Sequence, residues 1–225
     1  LHLLLGQERI EQTAVSLGLT MQTAPCPFLA QFLAMGNITR GFGSDTAAIQ
    51  SYLQDPVQYG REAMLLADAF IQDPDFRAAQ NEWRREMRRP SVSTQRFFTE
   101  NLNPQGTAGE YAALMARLAQ NGLSSADSSF TARRLLEWPM IFDDNQALFS
   151  NLGFKNGTMP GVLNLVYYVY PQGEVTPVVV VLFFRDLPNP TYRQWRNNLT
   201  HDEFARWLLY DPQAITAVAA AINTP

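Results

Sequence analysis

Through most of the first 150 residues, apolar side chains recur every three or four positions, the spacing that gives a helix one oily stripe. "QERIEQTAVSLG" (7–18) carries the pattern and closes on Gly18, a residue suited to the left-handed turn that ends a helix. "CPFLAQFLAMGN" (26–37) predicts a short helix ending at Gly36-Asn37, and further helices are predicted over 46–54, 57–72 and 74–88. "ITRGFGSDTA" (38–47) is rich in Gly, Ser and Thr and reads as a loop, with Ser44 or Asp45 able to cap the next helix. Residues 90–106 are polar and contain two prolines, which predicts a connector. "TAGEYAALMARLAQNG" (107–122) is the clearest helix: Thr107 and Glu110 have capping-box spacing, and Gly122 ends the periodic run. "SSADSSFTARRLLEW" (124–138) predicts another, stopping before Pro139.

After residue 150 the pattern changes. "GVLNLVYYVY" (161–170) and "VVVVLFF" (178–184) are β-rich runs, and "PQGE" (171–174) between them is a hairpin signal. With a shorter run ahead of them, the chain supplies three strands at roughly 152–157, 161–170 and 176–185. The tail returns to helix in "PTYRQWRNNL", "THDEFARWLLY" and "DPQAITAVAAAIN". The predicted class is α+β in a single domain over 1–225: mainly helical to 150, antiparallel strands over 151–186, C-terminal helices over 189–223. "VVVVLFF" is apolar at every position, so it wants cover on both faces and neighbours along both edges. Paired in sequence order it is the last strand and keeps one open edge. Further strands are therefore expected from residues before Leu1, an expectation the missing initiator Met supports, or from a partner chain.

Composition narrows the choices. At 46% hydrophobic, 225 residues can bury a sizeable core, and a net charge of −4 argues against nucleic acid as the partner. The basic run "RREMRR" (84–89) lies on a predicted helix and reads as a solvated face, with an anion-binding patch as the second reading. No stretch approaches the roughly 20 apolar residues that span a bilayer. The one cysteine, Cys26, has no partner for a disulfide and no histidine nearby in sequence, so it reads as a buried thiol. His2 and His201 are far apart and lack metal-ligand spacing; no metal and no cofactor are expected. Asn37, Asn156 and Asn198 begin Asn-x-Thr sequons, which matter only in a eukaryotic secretory protein. Tyr167, Tyr168, Trp195 and Trp207 read as core or helix–sheet packing.

Lys155 is the only lysine in the chain. It stands in "GFKNGTMPG" (153–161), before the turn-prone pair Asn156-Gly157 and just ahead of the β-rich runs. An ammonium at the edge of a sheet, with main-chain N–H groups close by, can hold an anion or an oxyanion. The spacing alone favours a solvent-facing lysine beside an Asn-Gly turn.

The run "GFKNGTMPGVLNLVYYVYPQGEVTPVVVVLFF" (153–184) resembles the Lys-Thr-Gly segment of the serine β-lactamases and penicillin-binding proteins. It is most similar to class-A-like serine hydrolases with "KxGSLPGV" at this strand. Upstream, "TAGEYAALMARLAQNGLSSADSSFTARRLLEW" resembles the family's "TPREMAxLLxxL…LS" helix pair, and "LHLLLGQERIEQTAVSLGLTMQT" resembles the segment after its Ser-Asp-Asn loop. The resemblance covers 1–23 and 105–222; residues 37–104 have no counterpart. It implies a β-lactamase/transpeptidase-like fold in a bacterial, periplasmic or secreted hydrolase acting on a β-lactam or peptidoglycan-like amide through an acyl-enzyme. By the same resemblance Lys155 contacts the substrate carboxylate, Gly157 lets substrate approach the strand, and the Thr158 backbone N–H completes the oxyanion hole. Asn156 takes the place of the usual hydroxyl; an amide can donate a hydrogen bond but cannot shuttle a proton.

The sequence also departs from the family. Its nucleophile is the serine of Ser-x-x-Lys, and the residue three before the only lysine here is Leu152. Ser-Asp-Asn is missing too, since "GSD" (43–45) continues into Thr46. The resemblance thus places the nucleophile and first strands before Leu1, and the family's first strand pairs with the strand equivalent to 178–184. Glu110 is better explained as part of the capping box than as a base. A deacylating base would come from Asp45, Asp55, Glu62 or Glu100, with nothing to choose among them. The rival expectation is a catalytically inactive module that binds cell-wall fragments or a protein partner.

Overall fold

The computed structural model describes residues 2–22, 27–36, 45–86 and 90–223. The chain is α+β and falls into two compact units, Leu1–Ser16 with Met21–Gln105, and Leu17–Thr20 with Gly106–Pro225.

The first unit is helical among the described residues: α1 (His2–Leu5), α2 (Gln7–Ser16), α3 (Phe28–Met35), α4 (Asp45–Gln54), α5 (Pro56–Gln72), α6 (Pro74–Glu86) and α7 (Val92–Asn101). Tyr59, Ala63 and Ala67 recur every four residues along α5 and are buried with Ala30 and Ala34 of α3. Methyl-sized side chains on both helices let the two backbones approach closely. Tyr52, Tyr59 and Phe98 close this core with mutual ring contacts, and the Tyr59 hydroxyl donates to Asn103 at 2.7 Å. Helix α7 corrects the expectation of a connector over 90–106. The Ser91 hydroxyl accepts from the Thr94 N–H at 3.1 Å, and that cap starts a helix whose Phe98 is fully buried. Cys26, Asn37, Ser44 and residues 87–89 of the basic run lie outside the described residues, as do the side chains of His2 and Asp45.

The second unit is layered. Helices α8 (Ala108–Ala119) and α9 (Ala126–Leu136) precede a 3-10 turn at Trp138–Ile141 and the short α10 (Asp143–Leu148). Strands β1 (Phe149–Met159), β2 (Val162–Pro171) and β3 (Val178–Phe184) form an antiparallel sheet in the order β1-β2-β3, and α11 (Asn189–Asn198), α12 (Thr200–Tyr210) and α13 (Ala214–Asn223) follow. Thr107 caps α8 through the Glu110 N–H, while the Glu110 carboxylate accepts from the Thr20 hydroxyl at 2.9 Å. Arg117 of α8 also donates to the Leu17 carbonyl at 2.9 Å, so segment 17–20 is tied to this helix.

Alternation sorts the sheet's two faces. Leu152, Leu165, Tyr167, Val169 and Val180 pack with Ala205 and Leu209 of α12. Val166, Tyr168, Val179, Val181 and Phe183 pack with Met115, Leu118 and Ala119 of α8 and with Leu136 of α9. A sheet buried on both faces is the reason the β2 and β3 sequences are apolar almost throughout.

One expected turn moves. Asn156-Gly157 does not turn the chain; both residues lie within β1, paired with Leu165 and Asn164. The reversal comes at Pro160-Gly161, where Gly161 takes φ +83° and Met159 faces Val162. Proline fixes the first turn residue and only glycine accepts that φ without strain, so the pair outcompetes Asn-Gly.

Candidate functional site

Strand β1 is an edge strand with two unlike halves. Phe149 and Leu152 of the first half are buried in the core, whereas Lys155, Asn156, Gly157 and Thr158 are all exposed. Four consecutive exposed residues on an alternating strand mean that β1 itself is uncovered on both faces here, while its β2 partners Leu163 and Leu165 stay buried.

The first half is fixed from both sides. Gly153 is buried opposite Tyr168, and a Cβ added there would fall 2.2 Å from the Tyr168 ring. The fully buried Tyr168 donates its phenol to Glu137 at 2.6 Å; Glu137 pairs with Arg133 at 2.6 Å, and Arg133 donates to the Asn121 side chain at 2.9 Å. Burial, then the hydrogen bond to the Glu137 carboxylate, pushes the Tyr168 phenol well above its ordinary value. On the other face Phe154 stacks on Tyr167 with ring centroids 4.5 Å apart. The Tyr167 phenol donates to Asp202 of α12 and is pushed up by burial and by that carboxylate. Leu136 packs on the α8 face and Met140 on the α12 face, while Trp138 rests against Phe154. With β2 occupying the inner edge, the 3-10 turn passes round the outer edge of β1 and covers it there.

That cover ends before Lys155. The Lys155 side chain lies on the same face as Gly153 and Tyr168, and its Nζ donates to the Asn156 carbonyl at 2.6 Å. Along a strand, alternate residues send their N–H and C=O groups the same way, so the Thr158 N–H shares the direction of the carbonyl that Nζ reaches. Gly157 has only the Asn164 Cβ near its missing side chain, at 3.9 Å, and its backbone is not left-handed. Among the described residues nothing requires glycine at 157. Alternation puts the Lys155 ammonium on the Tyr168 face and the Asn156 amide on the opposite face, with the bare Gly157 backbone and the Thr158 N–H following along the same exposed strand. An ammonium and a main-chain N–H exposed on one strand are groups that can hold a carboxylate or an oxyanion.

The remaining sequence candidates lie elsewhere. Asp55 caps α5 through the Gln58 N–H at 2.9 Å, and Glu62 accepts from Gln58 and Tyr52. Asp55, Glu62 and Glu100 all belong to the first unit. His201 is buried with Nδ1 3.2 Å from the Trp195 carbonyl, and Trp207 donates to Asp211. Tyr167 and Tyr168 pack in the core as expected. Among the described residues no cluster of His, Cys, Asp or Glu could hold a metal ion, and no helix is long and apolar enough to cross a membrane. Sequence reasoning missed the Tyr168–Glu137–Arg133 set and Gly153. Their only trace in sequence is a glycine inside a strand, which marks a close approach. Comparison with family models, with curated proteins and with solved structures gave no match.

Proposed function

We propose that the exposed half of β1 is the carboxylate-binding edge of a β-lactamase-like serine hydrolase, acting on a β-lactam or peptidoglycan-like amide through an acyl-enzyme. Lys155 holds the substrate carboxylate, Asn156 adds a hydrogen bond, Gly157 admits the substrate against the strand, and the Thr158 N–H meets the oxyanion. The nucleophile of this reading is not among the 225 residues, which contain no Ser-x-x-Lys. The reading places the activity outside the cytoplasm, where such substrates occur. The observation that carries it is the contrast along β1: Lys155, Asn156, Gly157 and Thr158 are all exposed, and among the described residues nothing requires glycine at 157.

Labelling of the full-length protein with a fluorescent penicillin, alongside nitrocefin turnover, tests it. A covalent adduct and turnover, both lost in Lys155→Met, are the expected results. Absence of any adduct removes the hydrolase reading.

Asn156 favours a second reading. An amide in the hydroxyl position can hold a carboxylate but cannot relay a proton. A catalytically inactive module that binds cell-wall fragments or a protein partner would bind such a fragment reversibly through Lys155 and leave no adduct.

A further inference from the structure

Alternation puts Val162, Asn164, Val166, Tyr168 and Tyr170 of β2 on the α8 face of the sheet. Two of these are apolar, and the two tyrosines have engaged hydroxyls. Tyr168 donates to Glu137 at 2.6 Å, and Tyr170 donates to the Ala119 carbonyl at 2.9 Å. Asn164 is the exception. It is half-buried, and its carboxamide has no hydrogen-bond partner among the described residues. Asparagine is disfavoured inside strands, and an amide without a partner adds nothing to stability. Its cross-strand neighbours show what it faces. On one side stands Gly157, whose missing side chain leaves Asn164 unshaded; a Cβ at 157 would meet the Asn164 Cβ at 3.9 Å. On the other side stands Phe183, whose ring meets Tyr111 of α8 edge-on with centroids 5.4 Å apart. Lys155 is the diagonal neighbour of Asn164 on the same face, about 7–8 Å away, so one small ligand can reach both.

Resting on the reading of Lys155 as the holder of a carboxylate, we propose that Asn164 is a second binding residue of this site. Its carboxamide offers a donor and an acceptor side by side and hydrogen-bonds an amide of the ligand. The ligand it selects is an N-acylated amino acid or a peptide with a free carboxylate, laid across Gly157 with its amide over β2. A carboxylate on a plain hydrocarbon chain is rejected, because it would cover the Asn164 carboxamide and leave it without a partner. Asparagine at 164 and glycine at 157 then share one explanation: the first reads the ligand's amide and the second leaves room for it.

Equilibrium binding of a fluorescent penicillin to the 225-residue chain, with melting followed by circular dichroism, tests it. Asn164→Leu keeps the branched shape of the side chain and removes its hydrogen bonds. Affinity is expected to fall about tenfold, the loss of one good hydrogen bond. The melting temperature is expected to stay level or rise, because leucine suits this strand better than asparagine. Competition reads the ligand's side of the contact. N-acetylalanine should displace the probe from the parent chain at about a tenfold lower concentration than 2-methylpentanoate, which has the same chain without the amide. In Asn164→Leu the two competitors should come within about twofold of each other. Penicillin binding that is weakened by Lys155→Met yet unchanged in Asn164→Leu overturns the proposal and leaves the reading of Lys155 standing. So does a parent chain that binds penicillin and from which the two competitors displace it alike, or not at all. A melting temperature for Asn164→Leu well below the parent's shows that the amide serves the fold, and overturns it as well. If the parent chain binds no penicillin, the reading of Lys155 fails first and the role of Asn164 falls with it.

Discussion

Gly153 and Gly157 stand four residues apart on one face of one strand, and only the first is required by what surrounds it. At Gly153 the Tyr168 ring fills the space a methyl group would need. At Gly157 the nearest heavy atom is at ordinary van der Waals distance. The same split divides their neighbourhoods. Before Lys155, β1 is gripped by Tyr168 on one face, Phe154 and Tyr167 on the other, and the 3-10 turn round its edge. From Lys155 to Thr158 the side chains face water. Residues with internal partners are there to build the strand. Residues without an internal reason, kept in an ordered strand, are where an external ligand is to be sought.

The comparison breaks most sharply at Gly153. Gly153→Ala drives its methyl into a buried ring that is hydrogen-bonded at its far end, so the ring cannot swing aside without giving up Glu137. Overpacking of this kind destabilises by about 3 kcal/mol. A drop in the melting temperature of the second unit, followed by circular dichroism, checks it; a melt like that of the parent chain would mean that the Tyr168 ring is free to move.

Alkali attacks the same half of the strand. Tyr167 and Tyr168 both have phenols held above their ordinary value, chiefly by burial and next by their carboxylate partners Asp202 and Glu137. Above about pH 10 the unfolded chain gives up these protons while the folded chain keeps them. The folded state then binds more protons, so stability, complete below pH 10, falls as pH rises, by about 1.4 kcal/mol per pH unit for each phenol that stays protonated. Urea midpoints at pH 9, 10 and 11 should fall across the last interval. Tyr168→Phe should flatten part of that fall, and a flat profile in the parent chain would contradict the grip described for the first half.

Lys155→Met sharpens the comparison from the other side. The side chain is exposed and its single internal hydrogen bond goes to its neighbour's carbonyl, so stability should stay within about 0.5 kcal/mol of the parent. Affinity for a penicillin should fall at least about tenfold, because a charge-assisted hydrogen bond to a carboxylate contributes about 1.5–3 kcal/mol. Equilibrium binding of a fluorescent penicillin separates the two readouts. Lost stability together with unchanged binding would reverse the roles assigned to the two halves of β1.

The sequence made the second unit legible and the reasons for its geometry much less so. Period-2 and all-apolar runs located the three strands, and Thr107 and Gly122 bracketed α8 correctly. Local turn chemistry misled once: Asn156-Gly157 reads as a turn only until Pro160-Gly161, four residues on, offers a better one. Helix α7 was hidden because its start depends on one hydroxyl, Ser91, inside a polar stretch between prolines. The Tyr168–Glu137–Arg133 set joins residues 31 and 4 positions apart, and no local period reports a pairing across that distance. Lys155 was legible as the lone lysine beside a sheet. That Gly157 has room to spare became visible only with Asn164 placed beside it.

The substitution that separates the two halves most cleanly is at Gly157. Gly157→Ala adds a methyl group 3.9 Å from the Asn164 Cβ, with no left-handed backbone to strain. Removing a glycine's freedom from the unfolded chain should leave stability unchanged or raise it by about 0.4–1 kcal/mol. The same methyl stands on the exposed face beside Lys155, where a ligand lying along the strand needs the backbone bare. Penicillin affinity should therefore fall about tenfold, comparable to the loss of one good hydrogen bond. The identical substitution four residues earlier should do the reverse, collapsing stability by crowding Tyr168. If Gly157→Ala binds as well as the parent, the ligand does not lie against this stretch of β1, and glycine at 157 is incidental.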